Sequence, residues 1–249
     1  MTGAYSAEFY QDLDQTSAPS AARVLPLVLS LLPVHSAIDV GCGDGSWLAA
    51  LTKLGVDDIM GIEGPWISPQ QLKIPVDKVR RMRLDQAIRV ERRFDLALSL
   101  EVAEHLPPAR AESFVADLVS LAPSVLLSAA IPGQGGHHHV NEQWPEYWAT
   151  LFARHGYIAV DCLRLHFWSD VDVAWWYRQN LMLFCDAATC AARPALAAAA
   201  APSPRAVKAL VHPECFGQQR RYAEPSFGRW LKMGRAAWAR SRGKKRALA

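Results

Sequence analysis

The stretch Ala37-Ile38-Asp39-Val40-Gly41-Cys42-Gly43-Asp44-Gly45-Ser46-Trp47 limits what this chain can fold into more than any other. An apolar run from Ala37 to Val40 enters a turn with glycine at 41, 43 and 45, and a helical pattern follows from Trp47 to Leu54. The reading is a buried strand, a tight turn and a helix. Glycines in such a turn remove Cβ atoms where backbone must come close to a ligand. The helix start presents N–H groups without intrahelical partners. At the carboxyl end of the first strand of an open parallel sheet, that turn is where a nucleotide-like ligand is expected.

The spacing separates ligand classes. In the dinucleotide pattern G-x-G-x-x-G the third glycine would fall on Ser46, whereas this chain has G-x-G-x-G. The run Asp58-Ile59-Met60-Gly61-Ile62-Glu63 follows as a short apolar strand ending in a carboxylate, which can accept both ribose hydroxyls. The turn with its preceding Asp39 and the later Glu63 resembles motif I and the following acid of the class I S-adenosylmethionine-dependent methyltransferases. The resemblance covers roughly residues 20–185. It implies that the turn (Asp39, Gly41, Cys42, Gly43, Gly45) holds the methionine end of the cofactor and that Glu63 and Gly64 meet the ribose. A probable strand within Lys78 to Ile88 ends at Leu84-Asp85-Gln86, where the family places an acid against adenine; Asp85 and Gln86 take that role. Leu100 and Glu101, at the end of a fourth strand, complete the implied cofactor set.

The 249 residues suffice for one large α/β domain with a well-buried core. A leader with Tyr5, Phe9 and Tyr10 as aromatic anchors runs into an apolar helix ending at Pro33; it either folds over the cofactor or covers a sheet face. Further strands are expected at Phe94–Leu100, Ser124–Ile131, Tyr157–Leu165 and Tyr177–Cys185, with helices at Pro108–Ala122 and Trp144–His155. Alternating strands and helices predict a doubly wound sheet with helices on both faces. The resemblance makes it a Rossmann-like sheet of seven strands, the last antiparallel. Residues 1–186 form the catalytic domain, with 1–32 as its leader. Residues 187–204 read as an Ala/Pro linker, and 205–249 as a basic helical tail whose end, from Arg235, frays.

Charge is divided unevenly. Residues 205–249 carry 12 Lys and Arg against 2 acids, and the preceding residues carry 15 against 22. Such a tail can meet nucleic acid, an anionic membrane surface or the acidic body, or stay solvated. The five cysteines (42, 162, 185, 190, 215) show no CxxC, the start of the chain does not read as a signal peptide, and no membrane-spanning run occurs. A reducing cytoplasm is the expected setting.

The fourth strand runs into Glu101-Val102-Ala103-Glu104-His105-Leu106-Pro107. If one helical turn follows Leu100, positions 101, 104 and 105 share a face. The next loop offers His137-His138-His139-Val140-Asn141-Glu142-Gln143-Trp144. This E-x-x-E-H turn with a later histidine is similar to the small-RNA 2′-O-methyltransferases and to the ubiquinone-pathway O-methyltransferases, where such residues hold Mg²⁺ or a related ion. Carried over, Glu101, Glu104, His105 and His139 would ligate Mg²⁺ or Mn²⁺, with His137 and His138 as looser candidates. Three readings stay open: a metal site; a metal-free site in which His105 or His139, aided by Glu104, removes a proton; and a turn with only a structural role. Aromatic residues such as Trp144, Trp168 and Trp176 suit core packing, with one or two left to wall a pocket. Arg178 and Asn180 alternate with neighbours along the expected last strand, so that one pair would face the site.

The expectation is methyl transfer from S-adenosylmethionine to a hydroxyl of a small molecule, a sugar or a natural-product scaffold. No N-P-P-Y-type motif follows the fourth strand, which disfavours a nucleobase amine. The alternatives are an RNA-end 2′-O-methyltransferase, for which the basic tail argues, and a non-catalytic cofactor-binding protein. A NAD site fits the glycine spacing less well.

Overall fold

The computed structural model describes residues 7–223 and Gly228. Tyr5, the side chains of Phe9 and Tyr10, and nearly all of the chain beyond Ala223 lie outside the described residues, as does the expected fraying from Arg235. The chain divides into two units, Met1–His212 and Pro213–Ala249.

The first unit is built on one seven-stranded sheet ordered β3-β2-β1-β4-β5-β7-β6. Its strands are β1 (Ser36–Val40), β2 (Asp58–Glu63), β3 (Val79–Arg81), β4 (Leu96–Leu100), β5 (Ser124–Ser128), β6 (Tyr157–Val160) and β7 (Met182–Asp186). β1 to β5 run parallel, and β7 pairs antiparallel with both β5 and β6. The last strand is therefore the reversed one, as the resemblance implies. Strand order changes direction between β1 and β4, and the carboxyl edge of such a switch point is where ligands bind in open α/β sheets.

Every residue of β4 and β5 is buried, which is why these segments read as continuous apolar runs. Alternate residues feed different cores: Leu96, Leu98 and Leu100 pack into one cluster while Ala97 packs into the other. On the first face lie α1 (Ala7–Leu31) and α2 (Ser46–Lys53); on the second, α3 (Ala111–Leu121) and α4 (Pro145–Ala153). In α1, buried Ser17, Ser20, Ala21, Val24, Leu25 and Val28 recur at helical spacing. The leading helix thus covers a sheet face.

Several expected boundaries are corrected. β3 ends at Arg81, so Leu84-Asp85-Gln86 belongs to the turn beyond it and not to a strand end. β5 stops at Ser128. β6 stops at Val160, and the segment to Leu165 turns into α5 (Arg164–Phe167), where Arg164 bonds Asp161 (2.9 Å) across one turn. Residues 175–180 form not a strand but α6 (Trp175–Asn180). Tyr177, Arg178, Gln179 and Asn180 are all buried there, so neither period shows in the sequence and aromatic β-propensity misleads. The strand alternation expected for Arg178 and Asn180 therefore does not exist. The Ala/Pro stretch holds α7 (Ala187–Ala191) and α8 (Pro194–Ala199); Leu196 is fully buried, and Ala201 N–H bonds the Ala159 carbonyl (2.8 Å). The second unit begins with α9 (Pro213–Ala223). Among the described residues no helix is long and apolar enough to cross a membrane.

Candidate active site

The glycine turn joins β1 to α2 as expected. Gly41 and Gly45 take φ +85° and +81°, a backbone L side chains rarely adopt. Gly41 and Cys42 both donate their N–H to the Ile62 carbonyl (2.8 and 3.1 Å), which ties the turn to the end of β2. Glu63 stands at that end, and its carboxylate accepts the Gly43 N–H (2.8 Å) and the Gly64 N–H (2.7 Å). Asp39, Asp44 and Glu63 are all buried around the turn. Burial, then Glu63 and Asp44, hold the Asp39 carboxyl well above its ordinary range, and its Oδ1 has no hydrogen-bond partner among the described residues. Burial also raises Glu63, against the opposing pull of the Gly64 and Gly43 amides. The Cys42 thiol is pushed up by burial and these acids, so it is a packing group. From across the loop Lys73 reaches Asp44 (3.1 Å) and Ser46 (2.9 Å).

Asp85 pairs with Arg83 (3.0 Å). The Gln86 carbonyl accepts from Arg110 (2.8 Å), which also reaches the Leu84 carbonyl (3.2 Å) and Asp117.

Beyond β4 the chain forms a single 3₁₀ turn, Ala103–His105. The carbonyl of Glu104 accepts the N–H of Val140 (2.8 Å) and of Asn141 (3.0 Å), which draws the histidine loop onto this turn. One ligand atom from each of Glu104, His105 and His139 lies within 4.8 Å of the others. Glu104 is fully buried; its Oε1 accepts the Ala130 N–H (3.3 Å), and its Oε2 has no partner among the described residues. Burial, then Glu101, hold its carboxyl well above the usual range. Burial, then His139, lower His105 to about 4, so it is a neutral imidazole at pH 7, and its Nδ1 too is buried without a partner.

Glu101 is not one of that trio, although its carboxyl lies close enough to Glu104 to raise it. It takes φ +54°, unusual for a side-chain-bearing residue. Its carboxylate accepts from Ser128, from Asn180 (3.3 Å) and from Gln134 (3.3 Å), and Gln179 and Asn180 both donate to Gln134 Oε1 (2.9 Å each). His137 and His138 stack edge to face against each other, with centroids 4.0 Å apart. Sequence reasoning did not find Ser128, Gln134 or Glu142; single polar residues in loops and at strand ends carry no periodic signal.

A family profile described as a methyltransferase domain matches residues 14–179. The chain belongs to that family and is a class I S-adenosylmethionine-dependent methyltransferase. Solved structures of the same fold include DesVI of Streptomyces venezuelae, at 14% identity and TM-score 0.56, covering 72% of this chain and 96% of that one. A sugar N-methyltransferase of a Streptoalloteichus species matches at 17% and 0.55, covering 75% and 97%. An S-adenosylmethionine-bound amino pentose methyltransferase of Micromonospora echinaspora matches at 14% and 0.53, covering 74% and 99%. No curated protein matches the sequence.

Proposed function

We propose that the protein methylates a hydroxyl of a small molecule, a sugar or natural-product scaffold, with help from a divalent ion held by Glu104, His105 and His139. The convergence of those three side chains within 4.8 Å carries the reading. The donor set suits an ion: a buried carboxylate oxygen and a buried imidazole nitrogen lack partners among the described residues, and the imidazole is neutral. Two imidazoles with one carboxylate favour Mn²⁺ or Zn²⁺ over Mg²⁺. When bound, such an ion lowers the pKa of a hydroxyl brought against it.

The rest falls to this chain's own groups. Asp39, Asp44 and Glu63 surround the glycine turn with carboxylates, which suits a cofactor carrying a sulfonium and an ammonium and disfavours a pyrophosphate. Glu63 is placed to take the ribose hydroxyls, and the Leu84–Gln86 turn to edge the adenine. Glu101, fixed by three neutral donors, orients the acceptor beside the methyl. Methyl transfer needs no protein nucleophile, and orientation alone is worth roughly 7–11 kcal/mol. All five cysteines are free thiols, which suits a cytoplasmic setting.

The test offers the enzyme S-adenosylmethionine with catechols, sugar diols and amino sugars, with and without chelator. Methyl ethers whose formation falls with chelation and in Glu104→Ala support the reading. Methylation at an amino-sugar nitrogen that ignores the chelator overturns it.

A further inference from the structure

Glu142 lies three residues past His139, on a loop the fold closes over the 3₁₀ turn. Its Oε1 lies 2.9 Å from His139 Nδ1 and 2.8 Å from the Gly135 N–H, and its Oε2 accepts the Gly133 N–H (2.7 Å). Both side chains are largely buried. A carboxylate already held by two backbone amides is a rigid acceptor, and it selects the His139 tautomer that carries its proton on Nδ1. That leaves the lone pair on Nε2. The ring lies with its face against the Gly136 backbone, where a Cβ would stand 2.3 Å from Nε2 and 2.4 Å from Cε1, so only a residue without a side chain admits His139 in this position.

We infer that Glu142 is the positioning residue of the site: it fixes the tautomer and ring orientation of His139, while the bare Gly136 backbone gives the ring room to lie there with Nε2 free for an ion. This rests on the metal reading above. Carboxylates behind ligating histidines commonly change metal affinity by about 10–100-fold.

The test begins with long-range proton–nitrogen NMR on histidine-labelled, metal-free protein at pH 8, followed by Mn²⁺ titration. Wild type should show His139 protonated at Nδ1. Glu142→Ala should lose that preference and bind Mn²⁺ at least tenfold more weakly, with S-adenosylhomocysteine affinity unchanged as a check on the fold. Gly136→Ala, which leaves the carboxylate in place but pushes the ring off this position, should also lose Mn²⁺ affinity. An unchanged tautomer in Glu142→Ala overturns the role of Glu142, and wild-type Mn²⁺ binding in Gly136→Ala overturns the need for this ring placement. If wild type takes up no Mn²⁺ while the tautomer responds to Glu142→Ala, the metal reading fails and the orienting role of Glu142 stands.

Discussion

A Cβ at Gly41 would stand 2.4 Å from Cγ2 of Val102, on a backbone already at φ +85°. Left-handed strain and overpacking each cost roughly 1–3 kcal/mol. Gly41→Ala should therefore lose about 2–4 kcal/mol in urea unfolding, and S-adenosylhomocysteine affinity with it. Asp39 makes a prediction of opposite sign. Its folded pKa lies well above the ordinary 3.8, so the folded state retains a proton that the unfolded state has released. That contribution to stability is complete below about pH 4 and is lost as pH rises through the raised pKa. Asp39→Asn, free of this loss, should raise the thermal midpoint of the cofactor-free protein at pH 8. The gain over wild type should vanish toward pH 4, and a gain that does not depend on pH would contradict the assignment.

Arg110, just before α3, joins that helix to the turn beyond β3. It is buried, it reaches the carbonyls of Leu84 and Gln86, and it pairs with Asp117, whose carboxylate in turn accepts the Ile88 N–H (3.0 Å). Removing one partner of such a buried pair costs about 3–5 kcal/mol. Arg110→Ala should show that loss by denaturation, together with weaker S-adenosylhomocysteine binding, because the Leu84–Gln86 turn loses its tether. Stability near wild type would show that the pair does not hold the turn. The elements differ in how far the sequence reveals them. The strand–turn–helix at 36–53 was legible because burial, glycines and helical period agree there, and so were β2 and β4. α6 was not, because burial on every side erases its period. The Glu104–His105–His139 trio was partly legible: the E-x-x-E-H spacing pointed to Glu104 and His105. What seats His139 beside them is a backbone carbonyl, that of Glu104, and backbone bonds leave no mark in side-chain patterns. Glu101 was grouped with the trio through the resemblance and an assumed helical turn; a left-handed residue begins the segment instead, and its carboxyl still neighbours Glu104.

Across the whole chain the charge divides between an acidic stretch to residue 204 and a basic one after it. The sheet edge gathers the cofactor turn, the Glu101 network and the Glu104–His105–His139 trio from strands that are neighbours in space. Removing the proposed ion from that trio would leave the cofactor turn intact, so chelation should lower turnover while S-adenosylhomocysteine affinity stays within about twofold, a difference of roughly 0.4 kcal/mol. The most direct measurement is a calorimetric titration of Mn²⁺ into protein preloaded with S-adenosylhomocysteine, repeated with Glu104→Ala and His139→Ala. Saturable one-site binding in wild type, lost in both variants, is the predicted result. No saturable binding in wild type, or binding that survives both substitutions, would contradict a metal centre at this edge of the sheet.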